Sequence, residues 1–237
     1  MKKITTTAVV LAAGQGKRMN SAVQKQYLLI NDKPVLYYAL KAFEDSIIDD
    51  IVLVTGNAEI DFCQKEIIKK YEIKKVRAIT AGGKERYHSV ACGLSKITWE
   101  CDYVFIHDGA RPFVDQAMIG RALASVQETT ACVVGMPVKD TIKLADENKF
   151  VKSTPARSLV WQIQTPQVFE KELITAAYEK LLLNEETLKK GNVPITDDAM
   201  VVEYFMNVRV KLVEGSYRNI KITTPEDLRI AEALVGS

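Results

Sequence analysis

Apolar runs alternate with segments of helical periodicity along most of the chain, and this alternation restricts the fold more than any other feature. The runs are continuously apolar, which is typical of strands buried on both faces of a sheet. They occupy residues 6–12, 51–55, 76–80, 103–106 and 131–138. Apolar residues recur at helical spacing in the segments that begin near Pro34, Ile60, Val90 and Asp115. The sequence therefore predicts an α/β fold, a Rossmann-like and mainly parallel sheet with helices on both faces.

Residues 139–158 interrupt this alternation. The segment is polar and has no clear helical period, so we interpret it as a protruding arm or extended hairpin, with a long surface loop as the alternative. Strand and helix patterns resume at residues 159–164, 170–183, 197–205 and 208–213, and a last helix begins at Thr224. We expect a single domain over residues 1–237, with 139–158 as its arm.

The composition excludes several classes of protein. The net charge of +2 results from 32 basic and 30 acidic residues, so the chain has no general attraction for nucleic acid or membrane surfaces. No run approaches the ~20 apolar residues of a membrane-spanning helix, and residues 8–13 are too short an apolar run for a signal peptide. The four cysteines have no C-x-x-C spacing, which argues against zinc sites and disulfides. We expect a cytoplasmic protein whose anion-binding sites are local clusters of charge.

The strongest local motif is the glycine-containing turn after the first apolar run. Residues 11–19 read LAAGQGKRM, so a buried strand leads into two glycines and two cations. Backbone N–H groups in such a turn form an anion-binding nest, and Arg18 adds a forked donor. The P-loop pattern fails because Arg18 replaces Ser or Thr, and the dinucleotide fingerprint fails at Met19. We expect a phosphate-binding turn, with an ordinary strand-to-helix turn as the alternative.

Other polar segments follow predicted strands. Ligands of parallel sheets bind beyond the carboxyl ends of the strands, which predicts one crevice between the loops after Ala12, Thr80 and Ile106. Asp108 lies there, and a carboxylate in this place suits Mg²⁺, although a turn held by Asp108 and Arg111 is the alternative. His107 is expected to be packed rather than catalytic. The chain has many cations and hydroxyls but no histidine–nucleophile constellation, which favours phosphate chemistry by positioning and electrostatics.

Taken in order, these segments resemble one family, the bacterial 2-C-methyl-D-erythritol 4-phosphate cytidylyltransferases. The matching segments cover nearly the whole chain and are residues 12–19, 25–27, 83–89, 107–112, 138–143, 157, 164–167, 196–199 and 219–228. The resemblance implies transfer of CMP from CTP to an alditol phosphate, with release of pyrophosphate, in non-mevalonate isoprenoid precursor biosynthesis. It also implies Mg²⁺ as cofactor and a homodimer in which each arm reaches into the neighbouring subunit.

The resemblance assigns roles residue by residue. The cations that stabilise the α-phosphate would be Arg18, Lys25 and Lys221. The CTP-binding residues would be Ala12, Ala13, Gly14, Gln15, Gly16, Lys17, Gly82, Arg86, Ser89, Asp108 and Gly109, with Asp108 also on the metal side of the triphosphate. The residues that bind the alditol phosphate would be Arg111, Thr141, Arg157, Thr165 and Thr196.

The chain departs from the family pattern at two places, and other functions remain open. Gln24 stands where family members often have Pro, and Pro155-Ala156 precede Arg157 where many have Asp. A ribitol 5-phosphate cytidylyltransferase is the nearest alternative. A catalytically silent nucleotide-binding or regulatory protein on the same fold is the alternative from another class, since fold alone does not determine function.

Overall fold

A seven-stranded sheet forms the centre of the fold in the computed structural model, which describes residues 3–14 and 24–236. The strands in these ranges are β1 (Thr6–Ala12), β2 (Leu29–Ile30), β3 (Lys33–Pro34), β4 (Asp50–Thr55), β5 (Val76–Ala81), β6 (Tyr103–Asp108), β7 (Ala131–Pro137), β8 (Leu144–Ala145), β9 (Val151–Ser153), β10 (Trp161–Glu170) and β11 (Lys211–Glu214). The sheet has the order β11-β7-β10-β6-β1-β4-β5, while β2–β3 and β8–β9 form separate hairpins.

Helices cover both faces of this sheet. They are α1 (Val35–Glu44), α2 (Ile60–Phe62, continued by a π-helix over Cys63–Lys69), α3 (Arg86–Leu94), α4 (Gln116–Thr129), α5 (Lys171–Leu183), α6 (Glu185–Lys190), α7 (Asp198–Met206) and α8 (Pro225–Val235). Successive side chains of a strand point to opposite faces. Ala8 and Val10 of β1 therefore pack in the core with α1 and α4, whereas Val9 packs in the core with α3, α5 and α7. This confirms the predicted α/β class.

The sheet is mainly parallel, as predicted, but one strand is reversed. β10 pairs antiparallel with β6 and β7, and the other sheet strands share one direction. β10 extends to Glu170, well beyond the predicted 159–164. The prediction was too short because Gln164, Thr165 and Gln167 are polar yet buried, so an apolar pattern does not mark them.

Caps and turns at the helix ends agree with the sequence in two places. The Asp115 side chain accepts from the N–H of Met118 at the start of α4. Thr224 and Asp227 form a capping box at the start of α8, with Pro225 in its first turn. Such caps satisfy N–H groups that have no partner within the helix.

The short helix α6 was not predicted, since it buries only Leu188.

Residues 139–158 form an exposed segment that contains the β8–β9 hairpin, in agreement with the expected arm or hairpin. Phe150 and Val151 at the hairpin are 72% and 62% exposed. The predicted exchange of this arm between subunits stays a prediction. Within residues 3–14 and 24–236, no helix is long and apolar enough to cross a membrane.

Candidate active site

Two adjoining cavities open at the carboxyl ends of the central strands, where parallel sheets bind their ligands. The larger has a volume of about 650 Å³ and is lined by the turn after β1, the loop before α3, and Lys25. The smaller has a volume of about 330 Å³ and is lined by β10 and the loop before α7. Arg86, Asp108 and Lys221 line both cavities, and we call these three residues the shared wall. Ligands in the two cavities would meet across it.

Asp108 is the centre of the shared wall. Its Oδ2 atom lies 2.7 Å from Lys221 Nζ and 3.9 Å from Arg111 Nε, and Arg86 Nε donates to its Oδ1 atom at 3.3 Å. Burial alone would raise the pKa of Asp108, but Arg86, Lys221 and Arg111 hold that pKa well below its usual range. The carboxylate therefore stays ionised, and its position is fixed by three cations.

Arg86 is itself held by a buried carboxylate. Its Nη1 and Nη2 atoms donate to the two oxygens of Asp198 at 2.8 and 2.7 Å. Asp198 is fully buried and also accepts from the hydroxyl of Tyr178. Sequence reasoning named Arg86 and placed Asp198 in the matching segment 196–199, but it gave Asp198 no role and did not name Tyr178. Most of the hydrogen-bonding capacity of Arg86 is thus used within the protein, although its side chain lines both cavities.

Two loops approach so closely at Gly82 that no side chain fits there. A Cβ atom on Gly82 would lie 2.5 Å from Ala13 Cβ and 2.6 Å from Ser89 Oγ. Ser89 Oγ accepts from the N–H of Gly83 at 3.1 Å and lies 3.3 Å from the carbonyl oxygen of Glu85, to which it donates. Gly82 and Ser89 therefore shape the loop that lines the larger cavity.

Gln26 links Lys25 to the glycine-containing turn, and sequence reasoning gave it no role although it belongs to the matching segment 25–27. It is 2% exposed, and its Nε2 atom donates to the carbonyl oxygens of Ala12 at 2.6 Å and Gly14 at 3.2 Å. Lys25 and Gln26 belong to the 3₁₀ helix Lys25–Tyr27. These bonds fix that helix against the turn, so Lys25 and the turn share one cavity wall.

The smaller cavity contains a buried donor without a hydrogen-bond partner among the described residues. Arg111 Nη1 donates to the carbonyl oxygen of Asn219 at 2.7 Å, but Arg111 Nε is buried and makes no hydrogen bond to the described residues. Thr165 accepts from the N–H of Asp108 and bonds His107 Nδ1, each at 3.1 Å. Burial lowers the pKa of His107 to about 4, so this histidine is a neutral, packed residue, as expected.

The structure brings many of the predicted site residues together. The larger cavity is lined by Ala12, Ala13, Gly14, Lys25, Arg86, Ser89, Asp108 and Lys221. The smaller is lined by Arg111, Thr165 and Thr196, together with the shared wall. Gln15, Gly16, Lys17 and Arg18 lie outside the described residues. The crevice predicted between three loops is therefore present as the larger cavity.

Four predicted residues line neither cavity, namely Gly82, Gly109, Thr141 and Arg157. The N–H of Gly109 donates to the carbonyl oxygen of Leu11 at 2.8 Å, and Gly109 does not line either cavity. This bond continues the pairing of β6 with β1, and the predicted contact of Gly109 with CTP stays a prediction. Thr141 and Arg157 are exposed on the arm, and neither cavity wall includes them. Their predicted roles, like the predicted dimer, stay predictions.

Asp108 is a carboxylate in the wall of the larger cavity that could hold a magnesium ion. No group of three or more His, Cys, Asp or Glu side chains that could hold a metal occurs within residues 3–14 and 24–236. Magnesium in nucleotide sites is commonly held by one or two carboxylates and by the phosphates of the substrate. Asp108 is ionised and faces the cavity, so it fits that arrangement.

Comparison with known proteins identifies the family. A family model described as "IspD: 2-C-methyl-D-erythritol 4-phosphate cytidylyltransferase" matches residues 6–237. The 2-C-methyl-D-erythritol 4-phosphate cytidylyltransferase of Lachnoclostridium phytofermentans is 50% identical over 235 residues, which are 99% of this chain and 97% of the relative. That of Caldanaerobacter subterraneus subsp. tengcongensis is 48% identical over 97% of this chain and 98% of the relative.

Solved structures agree with this result. The 4-diphosphocytidyl-2C-methyl-D-erythritol synthase of Anaerococcus prevotii superposes with a TM-score of 0.85 at 34% identity, over 99% of this chain and 97% of that one. The Francisella tularensis 2-C-methyl-D-erythritol 4-phosphate cytidylyltransferase gives a TM-score of 0.77 at 27% identity, over 97% and 99%. The chain described here therefore belongs to the 2-C-methyl-D-erythritol 4-phosphate cytidylyltransferase (IspD) family, a family of nucleotidyltransferases.

Proposed function

We propose that this protein transfers the cytidylyl group of CTP to 2-C-methyl-D-erythritol 4-phosphate, with release of pyrophosphate, in line with the names of its relatives. The observation that carries the proposal is the pair of cavities that meet at Arg86, Asp108 and Lys221. A two-substrate transfer needs two binding spaces and one point of contact between them. The larger cavity would hold CTP, and the smaller would hold the alditol phosphate.

The cations fit this assignment. The attacking group is a phosphate oxygen that is already ionised, so no general base is required. It would form a bond to the α-phosphorus of CTP, while the bond from that phosphorus to the oxygen of the β-phosphate breaks. Lys221 on the shared wall and Lys25 in the larger cavity lie where charge on the α-phosphate would develop. Cations fixed at such a place stabilise the transition state more than the ground state.

Arg111 supports the assignment of the smaller cavity to a second anion. Its buried Nε atom lies 3.9 Å from Asp108 Oδ2 and makes no hydrogen bond to the described residues, and a buried donor without a hydrogen bond is costly. A substrate phosphate would supply the acceptor. Thr196 lines the same cavity and adds a hydroxyl within that space.

We also propose Mg²⁺ as the cofactor. Asp108 would hold the ion together with oxygens of the triphosphate, and it would also keep its contact with Lys221. When bound, the ion would neutralise negative charge on the triphosphate.

A homodimer would complete the smaller cavity. Thr141 and Arg157 are exposed on the arm and absent from both cavity walls of their own chain. Arg157 Nη1 donates to the carbonyl oxygen of Lys139 at 3.2 Å. We propose that the arm of one subunit brings these residues to the smaller cavity of the other, in a single-domain cytoplasmic enzyme.

The test compares two acceptors. Purified protein is incubated with CTP, Mg²⁺ and either 2-C-methyl-D-erythritol 4-phosphate or ribitol 5-phosphate. The products, in which a diphosphate joins cytidine to the alditol, are identified by mass spectrometry. The proposal predicts product from methylerythritol phosphate at a much higher kcat/KM. A preference for ribitol 5-phosphate would assign the alternative function, and no product from either would contradict both.

A further inference from the structure

We infer that Asp198 is a positioning residue for the reaction and that it acts through Arg86 on Asp108. This inference rests on the proposed function. Asp198 itself lines neither cavity, whereas Arg86 and Asp108 line both. The side chains thus form a chain of ion pairs that leads from the interior to the point where the two substrates would meet.

Asp198 has a fixed position at the start of α7. Its side chain is fully buried, and its two oxygens accept from Arg86 Nη1 at 2.8 Å and Nη2 at 2.7 Å. The Tyr178 hydroxyl donates to one of the same oxygens. The first turn of α7 is tied to β10, because Gln167 Oε1 accepts from the N–H of Ala199 at 2.8 Å. The carboxylate is therefore held on two sides before it contacts the arginine.

The geometry of the guanidinium carries this position to Asp108. The group is planar, so a bidentate pair on its terminal nitrogens also fixes the direction of its Nε–H bond. That bond points at Asp108 Oδ1, with a nitrogen–oxygen distance of 3.3 Å. Burial alone would lower the pKa of Arg86, but Asp198 and Asp108 raise it well above the usual range. Arg86 therefore stays charged, and its orientation is set by Asp198.

The charge of Asp198 also leaves Asp108 available to Lys221. Without that charge, the nearest carboxylate to the Arg86 guanidinium would be Asp108, which now lies 2.7 Å from Lys221 Nζ. Arg86 would then compete with Lys221 for the same oxygens. Because Lys221 is a cation of the proposed transition-state site, its displacement would reduce turnover rather than only weaken binding.

A purely structural role for the ion pair between Asp198 and Arg86 predicts a different result. Asp198 and Arg86 join α7 to α3, and loss of one partner of a buried pair destabilises a protein strongly. If that were the whole role, a folded Asp198→Asn protein would melt at a lower temperature and keep its kcat. If Asp198 positions Asp108, kcat falls in molecules that are still folded. The split between kcat and thermal stability separates the two roles.

The experiment measures kcat, both KM values and melting temperature for the wild type, Asp198→Asn, Asp198→Glu and Asp49→Asn. Asp49 is the matched control, because its carboxylate accepts from Thr6 N and Oγ1 near the start of β1 and lines neither cavity. We expect kcat of folded Asp198→Asn to fall about 10- to 100-fold, as small misplacements of reacting groups cause. We expect smaller changes in both KM values and partial recovery in Asp198→Glu, while Asp49→Asn keeps its kcat.

Three outcomes decide the matter. An active wild type with an equally active Asp198→Asn protein would overturn this inference alone. A wild type that makes no product would overturn the proposed function, and the inference with it. If Asp198→Asn does not fold, Tyr178→Phe is decisive: it removes one bond to Asp198 and keeps the ion pair. We then expect a several-fold lower kcat, and an unchanged kcat would overturn the inference.

Discussion

Replacing Lys221 by alanine should slow turnover far more than it affects folding. Lys221 Nζ lies 2.7 Å from Asp108 Oδ2, and the lysine side chain is 34% exposed. It lines both cavities, so its charge lies between the two substrates of the proposed reaction. The substitution removes one cation from the shared wall and leaves Asp108 with Arg86 and Arg111 as its charged neighbours.

The magnitude follows from simple electrostatics. Two unit charges about 4 Å apart interact by about 4 kcal/mol at an effective dielectric constant of about 20. Removal of a single charge-stabilising group from an active site typically lowers kcat by about 10²–10³-fold. An ion pair that is partly exposed contributes only about 1 kcal/mol or less to folding. We therefore expect kcat to fall about 100- to 1,000-fold while the free energy of unfolding changes by about 1 kcal/mol at most.

The assay is steady-state pyrophosphate release with CTP and methylerythritol phosphate each varied, combined with denaturant unfolding. Lys211→Ala is the matched control, because Lys211 is an exposed lysine on β11 that lines neither cavity. We expect the control to match the wild type. A folded Lys221→Ala protein with kcat within about threefold of the wild type would refute the assignment of Lys221 to the transition state.

Three further changes test other parts of the site. Gly82→Ala should raise KM for CTP about tenfold or more, because the added Cβ would lie 2.5 Å from Ala13 Cβ; an unchanged KM in steady-state kinetics would contradict that packing. Arg157→Ala should raise KM for the alditol phosphate more than KM for CTP, and light scattering should show a dimer; equal KM changes or a monomer at assay concentration would contradict the proposed arm exchange. The pKa of His107 is lowered to about 4 from 6.5. As the pH falls, His107 therefore binds a proton in the unfolded protein before it does so in the native protein. The native state should therefore lose about 3 kcal/mol of stability between pH 6.5 and pH 4, and His107→Gln should lack that component in urea unfolding curves at several pH values.

The parallel part of the fold could be predicted because its strands are continuously apolar. β1 occupies the predicted residues 6–12, and α4 begins after the predicted cap at Asp115. β10 was harder to predict, because its residues near the site have polar side chains that are nevertheless buried. Hydrogen bonds to other loops satisfy those side chains. Gln167, for example, is 1% exposed and bonds both Asp197 and the N–H of Ala199. Such bonds join distant segments, so no local pattern reveals them.

The dependence on bonds between distant segments also explains which site residues could be predicted from the sequence. Asp108 follows an apolar strand and is recognisable from its place at the strand end. Asp198 lies 112 positions from Arg86 in the sequence, and only the fold shows that they form a bidentate pair. Gln26 follows Lys25 directly, yet its bonds to Ala12 and Gly14 depend on how the chain turns after β1. The sequence thus indicated the groups that face the cavities better than the groups that hold them in place.

The central claim is tested most directly by the choice of nucleotide. The purified protein is incubated with Mg²⁺ and 2-C-methyl-D-erythritol 4-phosphate, CTP, UTP, ATP and GTP are offered in turn, and pyrophosphate release is measured. Our account predicts release with CTP and little or none with the other three. Release with none of them, or equal release with all four, would contradict it.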